Sequence, residues 1–207
     1  MLLRSYRMNP WDQRFAADDY VFGTEPATAL LKLETYLVPG GKTLVVADGE
    51  GRNSVYLASK GFDVTATDYS EVGLSKARRL AKKRNVYVLY VVEDIFERDW
   101  PSEQYDNVVA VFIQFVPPSH MTKVLSGLAT ALKPNGTLLV HGYTPKQVEF
   151  GTGGPPNPEH LYTEAMLRDV YQRLDIRLCE AYEDMLDEGS GHSGRSALID
   201  FVGIKKV

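Results

Sequence analysis

Three short stretches of this 207-residue chain carry side chains whose type and spacing suit the recognition of a polar ligand. The first is Ala47-Asp48-Gly49-Glu50-Gly51-Arg52-Asn53, directly after a β-branched run that begins at Thr43. Glycines here let the backbone turn tightly and approach a ligand closely. A helix is expected to start at Asn53, so free backbone amides face whatever the loop holds. The second is Asp68, followed by Tyr69 and Ser70, at the end of Val64-Thr-Ala-Thr-Asp68. It lies about 20 residues beyond Gly49, where a carboxylate on a neighbouring strand can accept both hydrogen bonds of a ribose diol. Its competing role is to cap the helix that follows. The third is Glu93-Asp94-Ile95, after Val91 and Val92. An acid there can accept from an adenine amine, with Ile95 against the ring.

These stretches do chemistry together only if a scaffold brings their strand ends to one rim. The chain alternates the required elements. Strands are expected over Thr43–Ala47, Asp63–Thr67, Val86–Val92, Asn107–Ile113 and Thr137–Tyr143, each a short β-branched or apolar run of the kind covered on both faces. Helices are expected over Asn53–Lys60, Ser70–Arg84 and Ser119–Leu132. Leu74, Ala77, Leu80 and Ala81 recur at spacings of three and four, which makes one apolar helix face, with Ser70 as cap. Glu25–Leu37 reads as an earlier helix stopped by Pro39-Gly40-Gly41. Strands alternating with helices imply right-handed crossovers and a mainly parallel sheet. Arg177–Leu186 and Ser196–Ile204, separated by the Gly/Ser-rich Asp187–Gly194, read as an antiparallel hairpin at the end of the chain. The expectation is one α/β domain over residues 1–207, with residues 1–40 a helical lid or anchor. Three adenosine-suited strand ends on such a sheet indicate an adenosine-containing ligand. They leave open whether it is NAD or S-adenosylmethionine (SAM).

Composition narrows the function classes. The hydrophobic fraction of 44% and charged fraction of 24% are those of a soluble globular protein. A net charge of −4 gives no electrostatic footprint for nucleic acid. The basic run from Lys76 to Arg84 lies on the expected helix and reads as a solvated face. One cysteine, Cys179, excludes an internal disulfide and a multi-cysteine zinc site, and its strand-like flanks suggest a small buried filler. The four histidines lack metal-ligand spacing. No apolar run reaches the ~18 residues of a membrane span, and the N-terminus lacks a signal-peptide pattern. The expected setting is the cytoplasm, with no membrane or nucleic-acid partner.

The order and spacing of the motifs resemble the class I SAM-dependent methyltransferases, and within them the small bacterial tellurite-resistance and thiopurine methyltransferase-like branch. The stretches that carry the likeness are Trp11-Asp-Gln-Arg-Phe15 with Tyr20–Pro26, Gly49-Glu-Gly-Arg-Asn-Ser-Val-Tyr-Leu-Ala58, Asp68-Tyr-Ser, Gly73-Leu-Ser-Lys-Ala77, Glu93-Asp94-Ile95 and Leu132-Lys-Pro-Asn-Gly136. Gly151-Thr-Gly-Gly-Pro-Pro156, Leu161-Tyr-Thr and Gly191-His-Ser-Gly194 complete it, so that it covers nearly the whole chain. The resemblance implies a Rossmann-like three-layer sandwich with a seven-stranded, mainly parallel sheet and an antiparallel last strand. It implies SAM as cofactor and S-adenosylhomocysteine as product. The Gly49–Gly51 loop, with Arg52 and Asn53, would contact the methionine part, Asp68 with Tyr69 and Ser70 the ribose, and Glu93, Asp94 and Ile95 the adenine. Phe112 would complete the cofactor set from the fourth strand end. One departure stands out. The family often has an acid two residues before its first glycine. Val45 occupies that position here, Ala47 replaces the glycine, and Asp48 is the shifted candidate for the methionine ammonium.

Methyl transfer needs an acceptor held in line with the S–CH3 bond and water kept out, so the absence of an evident nucleophile is expected. The acceptor would lie over the fourth and fifth strand ends, near Phe112, Ile113, Gln114, Phe115, His141 and Tyr143. Gln114 stands where the branch often has histidine, which argues against a general base there. His192, in its glycine-flanked loop, is the expected base for a hydroxyl or thiol, and Arg195 the expected guide for an anion. Trp11, Phe15, Tyr20 and Phe22 could form an aromatic lid near the sulfonium or anchor a helix to the core. The expected reaction is methyl transfer to a small thiol, chalcogen oxyanion or phenol. The competing readings are a SAM-binding domain without turnover and an NAD-dependent oxidoreductase, whose G-x-G-x-x-G pattern is broken by Ser54.

Overall fold

A computed structural model describes residues 9–207. A short helix, α1 (Pro10–Arg14), is capped by Asn9, and α2 (Thr28–Leu33) runs into a single 3-10 turn at Glu34–Tyr36. Then follow β1 (Lys42–Val46), α3 (Arg52–Ser59), β2 (Asp63–Asp68), α4 (Glu71–Lys83) and β3 (Leu89–Val92). The second half holds β4 (Tyr105–Val111), α5 (Pro118–Thr130), β5 (Leu132–Tyr143), α6 (Gln147–Phe150), α7 (Glu164–Val170), β6 (Leu174–Asp187) and β7 (Ser193–Lys205). Among the described residues no helix is long and apolar enough to cross a membrane.

All seven strands join one sheet in the order β3-β2-β1-β4-β5-β7-β6. The first five are parallel, while β7 pairs antiparallel with both β5 and β6. The final strand therefore lies inside the sheet and β6 forms its edge. Alternation along the strands sends side chains to two cores. Val45, Val109, Leu139 and Val202 meet Leu30, Leu33 and Leu57 of α2 and α3 on one face. Leu44, Val108, Leu138 and Phe201 meet Leu125 and Leu128 of α5 and Leu167 of α7 on the other.

The expected elements are present, with shifted boundaries. The helix expected from Glu25 starts only at Thr28, because Glu25 precedes Pro26 and a residue before proline is pushed out of the helical region. Val86–Val88 stay outside the third strand, which begins at Leu89. The segment after the Gly/Pro loop forms α7, capped by the Thr163 side chain on the Met166 amide, an element not anticipated. The expected α4 face is buried throughout, at Leu74, Ala77, Leu80 and Ala81, and the Ser70 hydroxyl accepts from the Gly73 amide as its cap. Cys179 is buried in β6 against the α5 side of the core.

The order of the sheet reverses between β1 and β4, where chain connections leave in opposite directions and open a crevice. The residues just past these two strands, Ala47 (φ 49°) and Phe112 (φ 55°), both take the left-handed conformation. An L-residue pays roughly 1–2 kcal/mol for it. Such strain concentrates at functional sites, and here it lies on both lips of the crevice.

Candidate active site

The crevice opens into a cavity of about 710 Å³. Its floor is the strand ends. Its roof comes from two distant segments, residues 10–22 and the loop between β6 and β7.

On the β1–β2–β3 side the expected residues converge. Asp48, Gly49, Arg52, Asn53, Asp68 and Tyr69 line the cavity, joined by Glu93, Asp94 and Ile95. Gly51 and Ser70 do not. Gly51 (φ 91°) is the turn that starts α3, and a Cβ there would lie 2.6 Å from that of Ala77, so only glycine lets α3 approach α4 this closely. Ser70 is buried in capping α4 and donates to Asp12 at 2.6 Å.

Asp68 organises this half. One carboxylate oxygen accepts from the Gly49 amide and the other from the Ser70 amide, both at 2.8 Å. Burial raises its pKa, and the two amides pull it back. One side chain thus fixes the glycine loop against the start of α4, with lone pairs left for a ligand. Asp48 behaves differently. Its carboxylate turns beneath the loop and accepts from the Ser54 amide in the first turn of α3 at 3.3 Å, leaving its second oxygen without a hydrogen-bond partner. Burial pushes this carboxyl up to about 7. The acid, three residues beyond Val45, therefore serves as a helix cap aimed away from a methionine ammonium.

The other charged residues of this half are paired. Arg52 forms an ion pair with Glu188 at 2.8 Å and donates to the Phe22 carbonyl. Glu93 is ion-paired with Arg98, and Asp94 accepts from the Phe96 amide at 2.9 Å. Asn53 accepts from the Ala27 amide at 3.0 Å.

Glu50 and Lys76, which motif reading passed over, hold the roof. Their ion pair is buried, with each side chain 2% exposed. Lys76 Nζ also donates to the carbonyls of Ala17 and Asp19 at 2.8 and 2.7 Å, and Glu50 accepts from the Val21 amide. The expectation that Lys76 belongs to a solvated basic face is thereby corrected: it lies on the inward side of α4 under residues 15–21. Residues 1–8 of the expected lid lie outside the described residues.

On the β4–β5 side the walls are aromatic. His192 is stacked between Phe112, at 4.1 Å between ring centres, and Phe22, at 4.6 Å. Its Nδ1 is 2.6 Å from the Tyr143 hydroxyl. Gly191 lets the loop come this close, since a Cβ there would fall 2.2 Å from the Phe22 ring. Burial, with the nearby Arg52 cation, pushes His192 down to about 3, and burial raises the Tyr143 hydroxyl. His192 is where the sequence placed it, yet a group held neutral so firmly is a weak base at neutral pH. Gln114 is spent on structure: its amide donates to the Tyr143 carbonyl at 2.7 Å and accepts from the Tyr143 amide at 2.6 Å.

Arg195 is not brought to the cavity. It is exposed on β7, doubly bonded to Glu183 at 3.0 and 2.7 Å, with its guanidinium 4.8 Å from the Phe150 ring centre. His141 is buried on Asp200 at 2.6 Å, and His160 sits on the Gln114 carbonyl. Phe112, Gln114, Phe115 and Tyr143 of the expected acceptor set line the cavity, and Arg14 and Pro155 line it without having been singled out as site residues. Arg14 lies in the Trp11–Phe15 stretch of the family likeness, but nothing in that stretch gives the arginine a role, and it reaches the site because α1 folds over it.

This donor set fits an adenosine ligand with a short charged tail: a carboxylate at the second strand end, a further acid and an apolar side chain at the third, and a glycine loop at the first. Comparison with known proteins points the same way. Residues 44–136 match the family model described as a methyltransferase domain. Thiocyanate methyltransferase 1 of Arabidopsis thaliana is 29% identical over 153 residues, covering 72% of this chain and 61% of that protein. The probable S-adenosyl-L-methionine-dependent methyltransferase TehB of Haemophilus influenzae is 26% identical over 148 residues, 70% of this chain and 49% of that one. The chain thus spans about half to two thirds of these relatives. The crystal structure of Haemophilus influenzae TehB superposes with a TM-score of 0.68 at 20% identity, covering 86% of this chain and 61% of that one. A protein solved in a study of the conversion of a disulfide bond into a thioacetal group during echinomycin biosynthesis gives 0.76 at 16%, covering 95% and 91%.

Over residues 44–136 the chain thus resembles a methyltransferase domain, and its seven-stranded sheet has the fold of the class I SAM-dependent methyltransferases.

Proposed function

We propose that this protein transfers the methyl group of SAM to a small-molecule nucleophile seated in the aromatic half of the cavity. Asp68 carries the reading: its carboxylate is locked to the Gly49 and Ser70 amides at the rim where a ribose diol would lie. Bound SAM supplies a methyl on a sulfonium, already a good leaving group. Asp68 accepts the ribose hydroxyls, and Asp94 with Ile95 frames the adenine. Gly49 and the neighbouring backbone receive the methionine end. With Asp48 turned under the loop, the ammonium is left to backbone carbonyls. Trp11, Phe15 and Phe22 cover the site, exclude water and offer ring faces to positive charge. His192 and Tyr143 shape the acceptor wall as a hydrogen-bonded pair. A thiol, chalcogen oxyanion or phenol is the acceptor class suited to such walls.

The test is calorimetric titration with SAM, S-adenosylhomocysteine and NAD of the wild type and of Asp68→Ala. Micromolar binding of the first two and none of NAD is expected. Affinity should fall ~10- to 100-fold in the variant, the scale of losing charge-assisted hydrogen bonds. Binding of NAD instead, or unchanged affinity without Asp68, would remove this reading. SAM binding without turnover of any thiol, chalcogen or phenol would leave a SAM-responsive domain.

A further inference from the structure

Resting on that reading, we infer that the acceptor binds as an anion and that Arg14 is its counter-charge. The charged side chains lining the cavity are Arg14, Asp48, Arg52, Asp68, Glu93 and Asp94. Arg52 is neutralised by Glu188 and Glu93 by Arg98, and Asp48, Asp68 and Asp94 are committed to backbone amides. Arg14 alone of the set has no carboxylate opposite it among the described residues. Asp12, two residues away in the same helix, is turned to the Ser70 hydroxyl and the Asn9 amide. The Arg14 guanidinium lies instead over two rings, 5.4 Å from the centre of Phe22 and 5.9 Å from that of Trp11. Phe22 stacks on His192, and Arg14 lies close enough to help keep that imidazole unprotonated. The free cation therefore faces the acceptor wall.

The same wall offers little to a neutral acceptor that must lose a proton. The His192 Nδ1 is engaged by Tyr143, its ring is enclosed by two others, and Gln114 is consumed by the Tyr143 backbone. An acceptor that arrives ionised needs no base. Its lone pair forms the bond to the methyl carbon while the carbon–sulfur bond breaks onto sulfur. One anion and one sulfonium become two neutral molecules, and no proton is transferred. Charge recombination of this kind is favoured between apolar walls, where opposite charges attract strongly. Arg14 sits at the exposed rim, so it can draw an anion in without holding it in a fully buried pair. The role expected for Arg195 thus passes to a residue at the other end of the chain.

The probe is 4-nitrothiophenolate, a soft aromatic anion at neutral pH, against its neutral S-methyl ether, each titrated into protein saturated with S-adenosylhomocysteine. The wild type should bind the thiolate at least ~10-fold more tightly than the ether, the size of one charge-assisted contact. Arg14→Gln should erase that preference, Arg14→Lys should restore part of it, and both should bind S-adenosylhomocysteine within about twofold of the wild type. If Arg14→Gln instead weakens S-adenosylhomocysteine and spares the thiolate, Arg14 serves the cofactor's own carboxylate and the inference fails. It fails equally if the wild type shows no preference for the anion. Absence of any S-adenosylhomocysteine binding by the wild type would strike the proposed function itself, a result distinct from both.

Discussion

The two halves of the cavity are built on different physics. On the β1–β2–β3 side, recognition is made by backbone amides and carboxylates that lie within a few residues of a strand end, and Asp68 ties them together. On the β4–β5 side, the walls are rings drawn from four separate segments, at Trp11 and Phe22, Phe112, Tyr143 and His192. The first half is local, so turn chemistry sets it. The second exists only after the roof has closed, and what closes the roof is a small set of buried ion pairs. On the proposed reading the cofactor half rests on local turn chemistry, and the acceptor half on packing that can vary on the same fold.

The most damaging change to this arrangement is expected at Lys76, where the halves are joined. Lys76→Met leaves Glu50 charged and unpaired in a buried setting, which costs ~3–5 kcal/mol. Arg78, two residues on in the same helix, pairs with Glu71 at 2.7 Å with both side chains about half exposed, and its loss should cost no more than ~1 kcal/mol. Chemical denaturation of the two variants measures the difference. Comparable losses would mean that the Lys76 pair does not hold the roof. The double variant Lys76→Met/Glu50→Gln should recover much of the stability, yet SAM should still dissociate faster from it, because residues 15–21 have lost their anchor.

The same contrast explains what could be read from sequence. The helix face at Leu74, Ala77, Leu80 and Ala81 and the acids at Asp68 and Asp94 follow from period and from position at a strand end. Lys76 could not be read that way. In a run of basic residues nothing marks the one that turns inward, since its partners are carbonyls of a segment some 60 residues away and Glu50 of the glycine loop. Arg195 failed for a related reason. It lies three positions after His192, but β7 has begun by then, and pairing opposite Met185 sends its side chain outward to Glu183. Arg14 was invisible because its value lies in lacking a partner, which only the closed structure reveals. Asp48 shows how position along the loop matters: the acid is present, but its direction suits α3.

That direction predicts a pH-dependent effect of intermediate size. With the folded-state pKa near 7 and the ordinary value at 3.8, native Asp48 holds a proton between those limits that the unfolded chain has lost. Stability from this group is full below pH ~4 and is lost as pH rises toward 7. Asp48→Asn keeps an acceptor for the Ser54 amide and removes the charge. Thermal melts should show little change at pH 4 and stabilisation above pH 7. Its ceiling is about 4 kcal/mol, the value of a shift this large, reduced by the cost of an unpartnered amide group. A constant difference across pH would mean that the carboxyl stays ionised and has a partner.

The smallest effect is expected at His192, and its sign is opposite. Its folded-state pKa near 3 lies below the ordinary 6.5, so between those limits the unfolded chain binds a proton that the native protein refuses. The contribution is full above pH ~6.5 and fades as pH falls toward 3. His192→Phe preserves a ring between Phe22 and Phe112 and loses only the bond to Tyr143, a cost of ~1–2 kcal/mol at pH 7. The variant should lose less stability on acidification than the wild type, so the two curves cross between about pH 6 and pH 5. Turnover of an ionised acceptor should also persist, since no proton is removed from it. A variant that keeps its fold and its affinity for SAM but no longer methylates any ionised acceptor would reverse the comparison between the halves. The aromatic side would then hold a ring that must position the acceptor for transfer, and not only a wall that packing can vary.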